Sequence, residues 1–304
     1  MLGRRMWATL VAAVLLGTAL ALQPEAPANA ADPCGNNAAN PGRVVRDIPW
    51  QQKWLAPERV WPLATGAGQT VAVIDSGVDG THPQLAGHVL AGFDVLRNAP
   101  DDNVDCISHG TAVASLIAAR RSDEVGFHGL APGAQILPVR VTDVDPASDP
   151  TGPKQPTAKA LATAIAWAVA HDATVIDVSP ALTVDDPQLR AAVEQARQAG
   201  IVVVAAVGDQ HNPAYATDPP TYPAAYPGVI GVGAVGIGFT RTGNSNVGPY
   251  VRVTAPGDAT LAATRQSGYQ DWTGTSIAAA TVAGTAALVR QAWPGLGPDD
   301  DRRA

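Results

Sequence analysis

Thr70-Val71-Ala72-Val73-Ile74-Asp75-Ser76-Gly77 decides the fold class: four apolar residues in a row lead to an aspartate and then a turn-forming Ser-Gly pair. A strand whose consecutive residues are all apolar has no face left for water. That is the mark of a parallel strand covered on both sides, because strand side chains alternate between faces. The pattern recurs at Gln135–Val141, Thr174–Val178, Ile201–Val207, Val229–Val235 and Tyr250–Thr254. Between these runs the periodicity switches to helical: Gly110–Arg121, Thr157–His171, Asp186–Gln198 capped by Gly200, and Ser276–Trp293, rich in Ala, Gly and Thr. Strands alternating with helices predict an α/β chain with a mainly parallel β-sheet and helices on both faces.

Composition supports a packed body. The 304 residues are 46% hydrophobic and only 15% charged, against a usual charged share of about 25%. The 30 glycines and 26 prolines indicate many loops but stay below the roughly 25–30% that marks low complexity. No heptad or Gly-X-Y period supports a fibre. A net charge of −7 argues against a nucleic-acid partner, which calls for a basic face.

The N-terminus reads as a secretory signal over residues 1–30. Arg4 and Arg5 precede an apolar stretch from Met6 to Leu22, and Ala28-Asn29-Ala30 offers an A-x-A cleavage site. The alternative is an uncleaved anchor, for which that stretch is at the short limit of a bilayer span. Export through the cytoplasmic membrane follows, to the cell surface, a periplasm-like space or the medium. Residues 31–66 form a polar, Pro-rich arm with Trp50, Trp54 and Trp61, side chains expected to pack on the body formed by residues 67–304. The two cysteines, Cys34 and Cys106, are an even count in an exported chain and favour one disulfide over metal binding or a catalytic thiol. Closing so long a loop is worth about 4 kcal/mol on chain-entropy grounds.

Three residues sit where open parallel sheets place their chemistry, at strand carboxyl ends and at the starts of the following helices. Asp75 ends the first strand, His109 opens the helix of Ser108-His109-Gly110-Thr111, and Ser276 opens the last helix in Gly274-Thr275-Ser276. Each alone is as readily a cap or a turn former. Together they are a hydroxyl, a base to take its proton and a carboxylate to orient the base, in the chain order Asp, His, Ser.

These stretches resemble the subtilisin-like serine peptidases. The matching motifs are VIDSGVDGTHP (73–83), HGTAVASLIA (109–118) and GTSIAAATVAG (274–284), with YPAAYPGVIGVGAV (222–235) and TAPG (254–257) between. The resemblance covers roughly residues 66–293. It implies a subtilisin-like fold and an acyl-enzyme endopeptidase acting on polypeptides, with Asp75 as orienter, His109 as general base and Ser276 as nucleophile. It implies no cofactor, and no metal-ligating pattern stands out. Within the family the arm, the position of Cys106 before His109 and a partner Cys34 look most like the mycosins of actinobacterial type VII secretion, implying a secretion membrane complex as partner.

The resemblance also exposes departures. Asp209 of Gly208-Asp209-Gln210 stands where the family has the Asn that donates to the oxyanion. An ionised carboxylate would repel that charge, whereas a protonated one can donate. Ser179-Pro180-Ala181 replaces the usual substrate-pairing edge, and Ala206, Val207 and Gly208 fall where the pocket for the residue before the cleaved bond would lie. Ala280 replaces a proline four residues after Ser276. The Asp-rich stretches 100–105 and 143–149 read as solvated loops, and the other histidines as structural or solvent-exposed. An alternative function is a weak or inactive pseudo-peptidase serving as a structural partner in a secretion complex. A degradative secreted enzyme is a third, for which the arm is too short to be a folding propeptide. Pro294–Asp300 looks like a turn and N-cap about to open another helix, yet nothing apolar follows, so truncation of a longer product and absence of a membrane anchor from this chain are expected.

Overall fold

The computed structural model describes residue 34 and residues 42–101, 103–144 and 155–298. The expected signal segment, the middle of the 143–155 loop and the last six residues lie outside these.

The elements run α1 (Trp50–Leu55), β1 (Thr70–Asp75), β2 (Gly92–Asp94), β3 (Ala99–Asp101), α2 (His109–Ala118), β4 (Gln135–Arg140), α3 (Ala158–Ala170) and β5 (Val175–Val178). They continue with α4 (Pro187–Gln198), β6 (Val202–Ala206), β7 (Ile230–Val235), β8 (Val253–Pro256), β9 (Thr260–Ala263), β10 (Tyr269–Trp272) and α5 (Thr275–Ala292). Among the described residues β1 to β8 form one sheet in the order β3-β2-β4-β1-β5-β6-β7-β8, and all its pairings are parallel except β2 with β3. β9 and β10 form a separate antiparallel pair.

Both faces of the sheet are buried, as the apolar runs require. Val71, Val73, Val175, Val202, Val204 and Val232 pack into one cluster with α2 and α5. The alternate residues Ala72, Ile74, Ile176, Val178, Val203 and Ala205 pack into a second cluster with Leu161 and Ile165 of α3 and Leu189 and Val193 of α4. Strand periodicity thus sorts neighbouring residues into two cores, each fully buried aliphatic side chain worth about 1.5–3 kcal/mol. Local chemistry sets the helix ends: Thr157 caps α3 by accepting from Ala160 N–H, and Asp186 caps α4 by accepting from Gln188 and Leu189 N–H groups. α5 runs unbroken through Ala280, so the missing proline does not disturb it.

β1 lies centrally, between β4 and β5. The chain builds one side of the sheet up to β4, then crosses through α3 to β5 on the other. The carboxyl end of β1 is therefore at the switch point, where open α/β sheets leave a crevice.

The arm is tied to the body by hydrogen bonds from its own side chains. Trp50 Nε1–H donates to Ala259 O at 3.0 Å, Gln51 Nε2–H to Leu261 O at 2.8 Å and Trp61 Nε1–H to Leu130 O at 2.9 Å. Arg43 and Tyr269 exchange backbone hydrogen bonds, extending the β9–β10 pair. Cys34 and Cys106 are disulfide-bonded. No helix among the described residues is long and apolar enough to cross a membrane.

Candidate active site

β1 delivers Asp75 into the crevice with 1% exposure, and Gly77 then turns the chain at a positive φ of 97°. A side chain at Gly77 would strike Val104 O, and one at Gly110 would strike Gly77 O at 2.0 Å. These two glycines let the start of α2 press against the end of β1, which puts the His109 ring on the Asp75 carboxylate. His109 Nδ1–H donates to Asp75 Oδ1 and Oδ2 at 2.9 and 2.8 Å. That fixes the tautomer with Nε2 bare, and Nε2 accepts from Ser276 Oγ–H at 2.9 Å. Ser276 stands in the first turn of α5, at the positive end of that helix's dipole.

Electrostatics sort the carboxylates. Burial pushes the Asp75 carboxyl up, but the neighbouring His109, the Ser179 hydroxyl and Ser76 N–H outweigh it and hold the group below the usual carboxylate range. It is thus an anion across the neutral range, able to stabilise a positive imidazole. Asp209 goes the other way: burial raises it, against the Thr275 N–H and hydroxyl and the nearby His109. Its Oδ1 accepts from Thr275 N–H at 2.9 Å, and Oδ2 accepts from Thr275 Oγ1–H at 3.1 Å. A methyl group built on Gly274 would lie 3.3 Å from Ser276 Oγ and 3.6 Å from Asp209 Oδ2, so both face one small space. An oxygen developing negative charge there meets Asp209.

The expected substrate residues divide. Parallel pairing of β5 with β6 sets Ser179-Pro180-Ala181 beside Val207-Gly208, and methyls on Gly208 and Ala181 would touch at 3.5 Å. The side chains of Ala206 and Val207, however, are 1% and 0% exposed and belong to the two opposite cores. Strand alternation turns them away from the crevice, so an apolar pocket wall at Val207 is not what the structure builds; nor is its backbone free, since Val207 N–H donates to Val232 O at 3.2 Å. The Val207 carbonyl is itself occupied by Thr221 Oγ1–H and Asn246 Nδ2–H.

The reading of residues 100–105 as a solvated loop is overturned at Asp105, which is 2% exposed and bonded to the start of α2. Trp272 also escaped notice: its indole stands edge-on to the His109 ring, centroids 5.8 Å apart. Its place four residues before Ser276 was the available signal. His128 bonds Glu58 Oε1 at 2.8 Å and His211 bonds Asp218 Oδ2 at 2.8 Å, so both serve structural contacts.

The profile of the subtilase family matches residues 66–304. The chain belongs to the subtilases. This subtilase is 37% identical to thermitase of Thermoactinomyces vulgaris over 239 residues, covering 78% of this chain and 80% of that protein. It is 35% identical to mycosin-1 of Mycobacterium tuberculosis over 321 residues, covering 90% of this chain and 71% of that protein. Among solved structures it is similar to MycP1 from the ESX-1 type VII secretion system, with a TM-score of 0.76, 32% identity and coverage of 87% of this chain and 82% of that one. MycP3 of the type VII (ESX-3) system gives a TM-score of 0.73 at 30% identity, covering 86% and 83%. The protein is a subtilase-type serine peptidase related to the mycosins.

Proposed function

We propose that this subtilase is exported and cleaves polypeptides through an acyl-enzyme on Ser276, working beside a type VII secretion complex, the kind of system from which its relatives MycP1 and MycP3 come. The observation that carries the chemistry is the continuous relay Ser276 Oγ–His109 Nε2 and His109 Nδ1–Asp75. Ser276 Oγ attacks the scissile carbonyl carbon while its proton passes to His109 Nε2. The imidazolium so formed is stabilised by the anionic Asp75 and returns the proton to the leaving amine. Water then repeats the sequence: His109 takes its proton, the hydroxide attacks the acyl carbon, and Ser276 leaves with the proton restored. Asp209, when protonated, donates to the oxyanion. An extended substrate lies along the slot between residues 179–181 and 206–208. The division into a signal over 1–30, an arm over 31–66 and a peptidase domain over 67–304 belongs to this reading.

A second reading, a catalytically weak structural partner in the secretion complex, is favoured by one observation: Asp209 spends both oxygens as acceptors from Thr275. A fluorophosphonate probe separates the two. Labelling of the parent, absent in Ser276→Ala, supports the peptidase; no Ser276-dependent labelling from about pH 5 to about pH 9 leaves the structural partner.

A further inference from the structure

We infer that Asp105 is a positioning residue that sets the distance between Asp75 and His109, by clamping the end of β1 to the start of α2. Its carboxylate is met by five donors and almost no water. Oδ1 accepts from Ser76 Oγ–H at 2.9 Å, Ile107 N–H at 3.1 Å and Ser108 N–H at 3.0 Å. Oδ2 accepts from Thr111 N–H at 2.8 Å and Thr111 Oγ1–H at 2.7 Å. All five partners donate, which is the environment of an anion.

The bonds join the two elements that carry the relay. Ser76 follows Asp75 directly, and its N–H donates to Asp75 Oδ1 at 2.6 Å. The Ser76 hydroxyl donates to Asp105 and in turn accepts from Gly110 N–H at 2.9 Å, one residue past His109. Asp105 also does the work of an N-cap for α2. Ser108, the residue in the cap position, sits in left-handed backbone at φ 67° and does not cap the helix; its hydroxyl instead accepts from Arg265 N–H. The Thr111 N–H that such a cap would satisfy goes to Asp105. Cys106, joined to Cys34, anchors the next position along.

Burial pushes the Asp105 carboxyl up to about 6, with the charge of Asp75 adding to the rise and the Thr111 and Ile107 donors opposing it. The ionised group stands at neutral pH in a place that disfavours charge, with 2% exposure. Its contribution runs through Ser76 and α2, and a misplacement of about 1 Å between reacting groups costs about 100-fold in rate.

The kinetic arms of the test rest on the peptidase reading; the spectroscopic arm does not. Asp105→Asn, Ser76→Ala and the double variant are compared with the parent by turnover of a peptide substrate. In the Ser276→Ala background the same changes are compared by the downfield proton resonance of His109 Nδ1–H. Asp105→Asn is expected to lower kcat by about 10- to 100-fold with KM nearly unchanged, and to shift or broaden the His109 resonance. Because both changes cut one link, the double variant should be no slower than Asp105→Asn. Unchanged kcat, losses that multiply in the double variant, or a His109 resonance identical to the parent's would each overturn the inference. Should Asp105→Asn fail to fold, Ser76→Ala, which leaves the bonds of Asp105 to α2 in place, decides alone. A parent that turns over nothing defeats the peptidase reading, while the resonance still decides the role of Asp105.

Discussion

Replacing Asp209 by Asn exchanges one carboxylate oxygen for an NH2 group in a cage that already suits it. The Asn carbonyl can keep the bond from Thr275 N–H made by Asp209 Oδ1 at 2.9 Å. The NH2 then stands where Oδ2 stood, 3.1 Å from Thr275 Oγ1. That hydroxyl accepts from Gly208 N–H at 3.0 Å and has a second lone pair for one amide hydrogen. The other amide hydrogen faces the space shared with Ser276 Oγ, where the oxyanion forms. A full oxyanion donor is worth about 100- to 1,000-fold in kcat. The parent gets part of this only while Asp209 is protonated. Competence at Asp209 is lost as pH rises through its elevated pKa, whereas His109 must lose its proton to act as base and gains competence as pH rises. The parent should therefore be slow, with an acid-shifted optimum. Asp209→Asn should raise kcat by about 10-fold at the parent's optimum and by up to about 1,000-fold at alkaline pH, removing the alkaline limb. The assay is the pH profile of kcat on a peptide ester or amide, with active-site titration to correct for dead enzyme. An unchanged kcat and an unchanged profile would refute the assignment of Asp209 to the oxyanion.

The remaining predictions concern stability. Native protein should show no free thiol, and reducing Cys34–Cys106, 72 residues apart, should cost about 4 kcal/mol in denaturant unfolding. Stoichiometric reaction of the native protein with a thiol reagent would count against the bridge. Asp177 is fully buried on β5, faces the same core as Val73 and Val204, and has no hydrogen-bond partner for either carboxylate oxygen among the described residues. Burial, with Asp75 adding to it and His109 opposing, raises its pKa well above the usual carboxylate range. Asp177→Val should then stabilise the fold by about 1–3 kcal/mol, a rise of several degrees in Tm by calorimetry. A lower Tm would mean that the carboxyl holds a partner there.

Much of this protein is determined by sequence within short windows. Unbroken apolar runs such as 71–74 and 202–206 require burial on both faces, and that alone calls for a parallel sheet between helices. The local motifs around Asp75, His109 and Ser276 place each residue at an element end, because the turn glycines, caps and helix starts that do so are neighbours in the chain. Long-range contact decided the rest. α1, β2, β3, β9 and β10 were not legible, since elements of three to six residues carry too little periodicity and exist because distant partners hold them, as Tyr269 is held by Arg43. β8 lies at 253–256 and not at 250–254 because its register is set by β7; Pro256 is tolerated at that sheet edge. Asp105 sat in an acidic stretch that composition assigns to water, yet Ser76, 29 residues earlier, and the start of α2 enclose it. Ala206 and Val207 lie beside the crevice in sequence, but strand alternation sends their side chains into opposite cores. Spacing along the chain determines which groups are available, and only packing determines which of them meet each other and which meet water.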